Sequence, residues 1–226
     1  MDILALPHPL DELLGGLERG TVTNIYGAPG TGKTNICMHA VIEAVRRGDS
    51  VVYIDTEGSF STERLKQLAP DWENIAGKIT IIEPSSFAEQ GKIIRNLKPA
   101  GLIVLDSAVS LYRLEHAEND RKEDIMKANR ELSKQIAVLS KLARGNGSVV
   151  LITAHMFQSW DTGEHDVVGG ESLKYWSKAL VLLERTGKMS ERKATLIKHR
   201  WLPEGKSVKF MLSDDGIVPS TGFRLF

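Results

Sequence analysis

The chain has 226 residues, 42% of them hydrophobic, and its 29 Lys and Arg balance 29 Asp and Glu. That length suits a single α/β domain spanning 1–226 with a sizeable core. Zero net charge excludes binding of nucleic acid through an overall field and leaves local patches as the means. One cysteine, Cys37, excludes an internal disulfide and reads as a core thiol beside apolar neighbours. No run reaches the ~18 apolar residues of a membrane-crossing helix, so no membrane partner is expected. The stretch 1–7 has no basic region and no long apolar run, so no signal peptide is read and the cytoplasm is the expected compartment.

In chain order, a β-type run at 21–26 enters Gly27-Ala28-Pro29-Gly30-Thr31-Gly32-Lys33-Thr34. This is G-x-x-x-x-G-K-[ST] in full, and a helical run from Asn35 leads out of it. Loop N–H groups and a helix N-terminus in that context make a pocket for phosphate oxygens. Lys33 can reach the β/γ-phosphates, and the Thr34 hydroxyl can take a Mg²⁺ position, so ATP and Mg²⁺ are the expected ligands. The next strand, 51–55, ends in Asp55-Thr56-Glu57. Glu57 can orient the attacking water and accept its proton, while Asp55 either supports the site or caps the following segment. Helices are expected at 33–47, 61–69 and 86–97, with a strand at 79–82 between the last two. Leu102-Ile103-Val104-Leu105-Asp106 is four apolar residues closed by a carboxylate, the pattern of a buried parallel strand. Its C-terminal end lies where ligands bind in open α/β sheets, which places Asp106 to hold Mg²⁺.

A polar segment, 107–120, carries Tyr112 and Arg113 and reads as a long loop. In the helix at 121–144, Ile125, Leu132, Ile136, Leu139 and Ala143 form one apolar stripe, and Gly145-Asn146-Gly147 ends it. A strand at 148–153 leads to a second long polar segment, 156–168, with Phe157 and Trp160. Tyr112, Phe157 and Trp160 can stack on single-strand bases, or pack against the body of the protein. A helix at 171–177 precedes strands at 179–184, 194–199 and 207–212, which read as antiparallel hairpins extending one edge. Between 184 and 210, eight Lys and Arg face three Glu, a net +5. This is either a solvated basic edge or a phosphate-binding patch, with Arg192 and Lys193 as its DNA candidates. On a continuous strand Lys198 and Arg200 share a face.

Tyr53-Ile54-Asp55-Thr56-Glu57-Gly58-Ser59-Phe60 with Glu63-Arg64-Leu65, the lead-in at 10–20, Leu151-Ile152-Thr153-Ala154-His155 and Val168-Gly169-Gly170 together resemble the RecA/RadA strand-exchange recombinase family over nearly the whole chain. The resemblance implies that Glu57 activates water, that Arg64 stacks on adenine, and that the two polar segments face DNA. It implies a γ-phosphate sensor at the position of His155, where the family has glutamine. It also implies that Lys198 or Arg200 inserts into a neighbouring subunit's ATP site as an arginine finger does. The chain is expected to be the ATPase core alone, without the N-terminal helical DNA-binding domain and polymerisation plug of the full-length recombinases. It is therefore most similar to the archaeal paralogues made of the core alone.

The expected fold is a RecA-like P-loop ATPase core: a mainly parallel sheet with helices on both faces and antiparallel strands near the C-terminus. The expected function is that of an ATP-binding DNA repair and recombination accessory protein. It would bind single-stranded or branched DNA and recombination proteins, form homo-oligomers, hydrolyse ATP weakly with Mg²⁺ and DNA, and not exchange strands itself. The competing readings are an ATP-driven conformational switch without turnover and a KaiC-like or helicase-like ATPase.

Overall fold

The computed structural model describes residues 2–117, 121–158 and 165–220. An N-terminal ribbon comes first: β1 (Ile3–Leu4) pairs antiparallel with β2 (Leu17–Glu18), with α1 (Leu10–Leu14) between them. The body then alternates: β3 (Val22–Gly27), α2 (Lys33–Arg46), β4 (Val51–Asp55), α3 (Thr62–Leu68), α4 (Trp72–Ala76), β5 (Ile79–Ile82), α5 (Phe87–Arg95) and β6 (Leu102–Asp106). It continues with α6 (Ser110–Ala117), α7 (Lys122–Asn146), β7 (Val149–Ala154), the hairpin β8 (Met156–Gln158) and β9 (His165–Val167), and α8 (Gly170–Trp176). β10 (Ala179–Arg185), β11 (Glu191–Lys198), β12 (Ser207–Ser213) and β13 (Gly216–Pro219) close the chain.

Nine strands form one sheet in the order β13-β12-β11-β10-β3-β7-β6-β4-β5. Every pairing from β10 to β5 is parallel, and those from β10 to β13 are antiparallel. This is the expected mixed sheet. Helices cover both faces because the central strands are apolar on both. In β6, Leu102 and Val104 enter the core beneath α2, while Ile103 and Leu105 enter the core beneath α5 and α7. Side chains that alternate at period two leave no polar face on such a strand. No helix among the described residues is long and apolar enough to cross a membrane.

The structure adds short elements that the sequence reading did not expect, namely β1, α1, β2, α4 and β13, and departs from it in the later segments as well. The segment 107–120, expected as a loop, contains α6. Its start is set by Ser107, whose Oγ accepts from the Ser110 N–H at 3.2 Å, and Leu111 and Tyr112 are buried on the body. The second polar segment holds the β8–β9 hairpin, with Phe157 opposite Asp166. The third strand from the end begins at Glu191 rather than 194 and ends at Lys198. Lys198 and Arg200 therefore do not share the face of one strand.

Phe210 of β12 is fully buried, whereas Ile81 on the edge strand β5 is 43% exposed. Phe210→Ala should lower unfolding free energy by about 3–5 kcal/mol through lost transfer energy and a cavity. Ile81→Ala should cost well under that. Denaturant melts of both variants check the contrast.

Candidate functional site

The C-terminal ends of β3, β4, β6 and β7 lie side by side, and β3 and β4 are separated by β7 and β6. A crevice opens above the ends of such strands where successive connections run to opposite sides. The loop 27–32 leaves β3 tight against β10: a Cβ on Gly27 would stand 2.3 Å from the Leu183 carbonyl. Gly30 and Gly32 hold φ of +73° and +100°, which only glycine adopts without strain. The N-terminus of α2 then points its free N–H groups into the crevice. Lys33 is 7% exposed and has no carboxylate in contact among the described residues. Its Nζ donates to the carbonyls of Gly27 at 3.0 Å and Ala28 at 3.1 Å. Burial lowers its ammonium from the ordinary range, and the nearby carboxylates of Glu57 and Asp106 pull the other way. A buried cation held only by carbonyls fits an anion at this loop.

Asp106 ends β6 and is 1% exposed. Its Oδ2 accepts from Thr34 Oγ1 and Tyr53 OH, both at 2.8 Å, and from Ser59 Oγ at 3.1 Å; Oδ1 accepts from Thr153 Oγ1. A hydroxyl and a carboxylate in contact are hard oxygen donors, the chemistry Mg²⁺ takes when phosphate and water fill its other positions. Among the described residues no group of three or more His, Cys, Asp or Glu is placed to hold a metal. Thr34 and Asp106 are thus the protein's offer.

Of the two readings of Asp55, the structure shows the cap. Its carboxylate accepts from the N–H groups of Glu57 and Ser59 at 3.1 Å and of Phe60 at 2.8 Å, folding the turn that presents Glu57. Glu57 Oε1 lies 2.8 Å from His155 Nε2 and accepts from Ser110 Oγ. His155, one residue past β7, is thereby brought to Glu57, while its Nδ1 is buried without a partner among the described residues. The bonds from His155, Ser110 and Ser107 outweigh burial and hold the Glu57 carboxyl at about 2. A carboxylate of such low basicity orients water better than it removes a proton. Ser107 and Ser110 were not singled out from the sequence, and Tyr53, Ser59 and Thr153 entered only as parts of the resembling motifs, with no role assigned. Ser107, Ser110, Tyr53 and Ser59 are hydroxyls close in sequence to strand ends that carry acids, and Thr153 lies two residues before His155.

Arg64 Nε donates to Asn35 Oδ1 at 2.8 Å, and its Nη groups donate to the carbonyls of Ser213 and Asp214 at 2.7 and 2.9 Å. Its edge is committed, so only the planar face remains for a base. The DNA candidates scatter. Tyr112 is 7% exposed, donates its hydroxyl to Asn129 and packs edge-on against Phe87, so it offers no free face for stacking. Arg113 is exposed on α6, and Phe157 is 47% exposed on β8. Trp160 lies outside the described residues. Arg192 donates to the Gly30 carbonyl at 3.1 Å, which sets its guanidinium against the loop 27–32. Lys193 sits 3.9 Å from Glu184, Lys198 donates to the Lys174 carbonyl, and Arg200 pairs with Glu18 at 3.2 Å. The basic segment is thus largely spent on internal contacts.

His155→Ala should let the Glu57 carboxyl titrate nearer its ordinary 4.5, because it removes the largest cause of the depression. The sign for stability follows. A depressed carboxyl stabilises the fold fully above 4.5 and loses that contribution as pH falls toward about 2. The variant should narrow that window from below. Carboxyl-carbon NMR titration of both proteins is the check, and a Glu57 value still near 2 in the variant would show that His155 does not set it.

The family model described as Rad51 matches residues 3–220. A protein of Methanococcus maripaludis strain C5 named DNA repair and recombination protein RadB is 46% identical over 213 residues, spanning 92% of this chain and 96% of that one. A protein of the same name from Methanobrevibacter smithii is 40% identical over 222 residues, 92% of each chain. A solved structure titled "Crystal structure of the RadB recombinase" superposes with a TM-score of 0.79 at 30% identity, covering 94% of this chain and 97% of that one. With a family model matched along nearly its whole length and relatives similar end to end, this chain belongs to the Rad51 family.

Proposed function

We propose that the chain binds ATP with Mg²⁺ at the loop 27–34, hydrolyses it slowly, and serves DNA recombination and repair as an accessory to a strand-exchanging recombinase, binding single-stranded or branched DNA without exchanging strands itself. The observation that carries the reading is the meeting at one sheet edge of Lys33 and Thr34 from the first turn of α2, Asp106 from the end of β6 and Glu57 from the turn after β4. Relatives named for DNA repair and recombination support the biological setting. Recombination proteins and further copies of this chain are the proposed partners.

Lys33 and the loop N–H groups bind and orient the phosphates. Thr34 and Asp106 hold the metal, which supplies neutralisation of charge on phosphate oxygens. Glu57 orients the water, and His155, in contact with it, is placed to report on the terminal phosphate. Asn35 sets Arg64, whose face remains for the base. Slow turnover follows from the low basicity of Glu57 and from its engagement by His155 and Ser110. The same observation favours a second reading, in which ATP changes the conformation and is not turned over.

Lys33→Ala should weaken Mg-ATP binding by about 2–3 kcal/mol in a folded protein, by loss of a charge-assisted phosphate contact. Calorimetric titration measures it, and an unchanged affinity would remove the loop from the nucleotide site. Glu57→Gln should leave that affinity in place and slow hydrolysis by about 10²-fold. Single-turnover assays with and without single-stranded DNA test this. Absence of wild-type turnover in both would establish the switch, and strand exchange by the wild type would end the accessory reading.

A further inference from the structure

Two arginines from the antiparallel end of the sheet lie on the outer side of the phosphate loop. Arg185, the last residue of β10, donates from Nη2 to the Pro29 carbonyl at 3.0 Å. Arg192, on the neighbouring strand β11 and directly paired with it, donates from Nε to the Gly30 carbonyl at 3.1 Å. The Arg185 guanidinium packs on the face of Gly30, where a Cβ would stand 2.5 Å from its Nη2. Among the described residues neither guanidinium is ion-paired, and neither carbonyl has a backbone donor.

The chemistry follows from the peptide units involved. The Pro29 carbonyl shares its peptide with the Gly30 N–H, and the Gly30 carbonyl with the Thr31 N–H. Neither peptide is cis, so each N–H points away from the arginine that holds its carbonyl. Neither N–H has an acceptor among the described residues. A cation donating to a carbonyl polarises the whole amide and strengthens its N–H as a donor. The pair also sets two like charges side by side, and burial together with Arg185 holds the Arg192 guanidinium below its ordinary range. An anion on the far side of the loop relieves that repulsion.

We propose that Arg185 and Arg192 are positioning residues for the nucleotide: they clamp the Pro29 and Gly30 carbonyls so that the Gly30 and Thr31 N–H groups are aimed, and strengthened, as donors to a polyphosphate. The proposal rests on the reading of the loop as a nucleotide site. It assigns to the phosphate loop two cations that the sequence alone leaves between a solvated basic edge and a patch for DNA phosphate.

The test uses the full chain with the double variant Arg185→Gln/Arg192→Gln, the conservative Arg185→Lys/Arg192→Lys, and Lys33→Ala. Mg-ATP and Mg-ADP are titrated by calorimetry, and amide NMR follows Gly30 and Thr31 without nucleotide. The expected result is at least tenfold weaker binding of both nucleotides by the Gln variant, most of the loss recovered by the Lys variant, an unchanged melting temperature, and upfield shifts of the two amide protons in the Gln variant. Should the Gln pair not fold, the single Gln variants carry the same test. Wild-type affinity in a folded Gln variant, with Lys33→Ala impaired, overturns the clamp and leaves the nucleotide site standing. Wild-type affinity in Lys33→Ala as well overturns both. A Gln variant that loses DNA affinity but binds nucleotide normally also overturns the clamp and returns the arginines to a DNA surface.

Discussion

The carboxylate of Asp106 is the tie on which the site depends. It is 1% exposed and is solvated by hydroxyls rather than by a cation in contact. A buried charge is tolerable only when its lone pairs are met, and each donor that meets them comes from a different piece of chain. Tyr53 comes from β4, Thr153 from β7, Ser59 from the turn after β4, and Thr34 from the first turn of α2. One negative charge thus fixes the mutual height of neighbouring strand ends and the seat of the helix that follows the loop.

The antiparallel half of the sheet completes the crevice from the other side. β10 lies beside β3, and its final arginine meets the loop that β3 feeds. The turn between β12 and β13 meets Arg64, and through it Asn35 at the start of α2. On α2, His39 Nε2 accepts from the Ile217 N–H at 3.3 Å, and burial holds that imidazole at about 4, neutral and able to accept. The late strands are therefore walls of the crevice rather than an appendage to it.

Much of this was legible in the sequence where local pattern and chemistry coincide. The strand–loop–helix at 21–47, the apolar run closed by Asp106 and the stripe of α7 each announce their structure through a period and a terminal residue. What stayed hidden depends on contacts between distant segments. A serine at 110 carries no mark of its meeting with Glu57, and nothing near Arg192 says that its Nε finds the Gly30 carbonyl. α6 was missed because its buried face, Leu111 and Tyr112, is short and surrounded by charge. Tyr112 stood open between stacking on bases and packing on the body because an aromatic on a core-facing turn and one on an exposed loop look alike in sequence.

The position of β3 at the centre of the sheet has a consequence for how the protein is made. β3 is complete at Gly27, yet its hydrogen-bonding neighbours are β7, which begins at Val149, and β10, which begins at Ala179. All six residues of β3 are buried in the finished molecule. On the ribosome this segment emerges early and waits, both edges unpaired, while well over half of the remaining chain is synthesised. At about 5–20 residues per second that wait lasts several seconds to half a minute. Nascent β3 is an adhesive strand over that interval, and the loop 27–32 exists as a string of residues long before the crevice around it does.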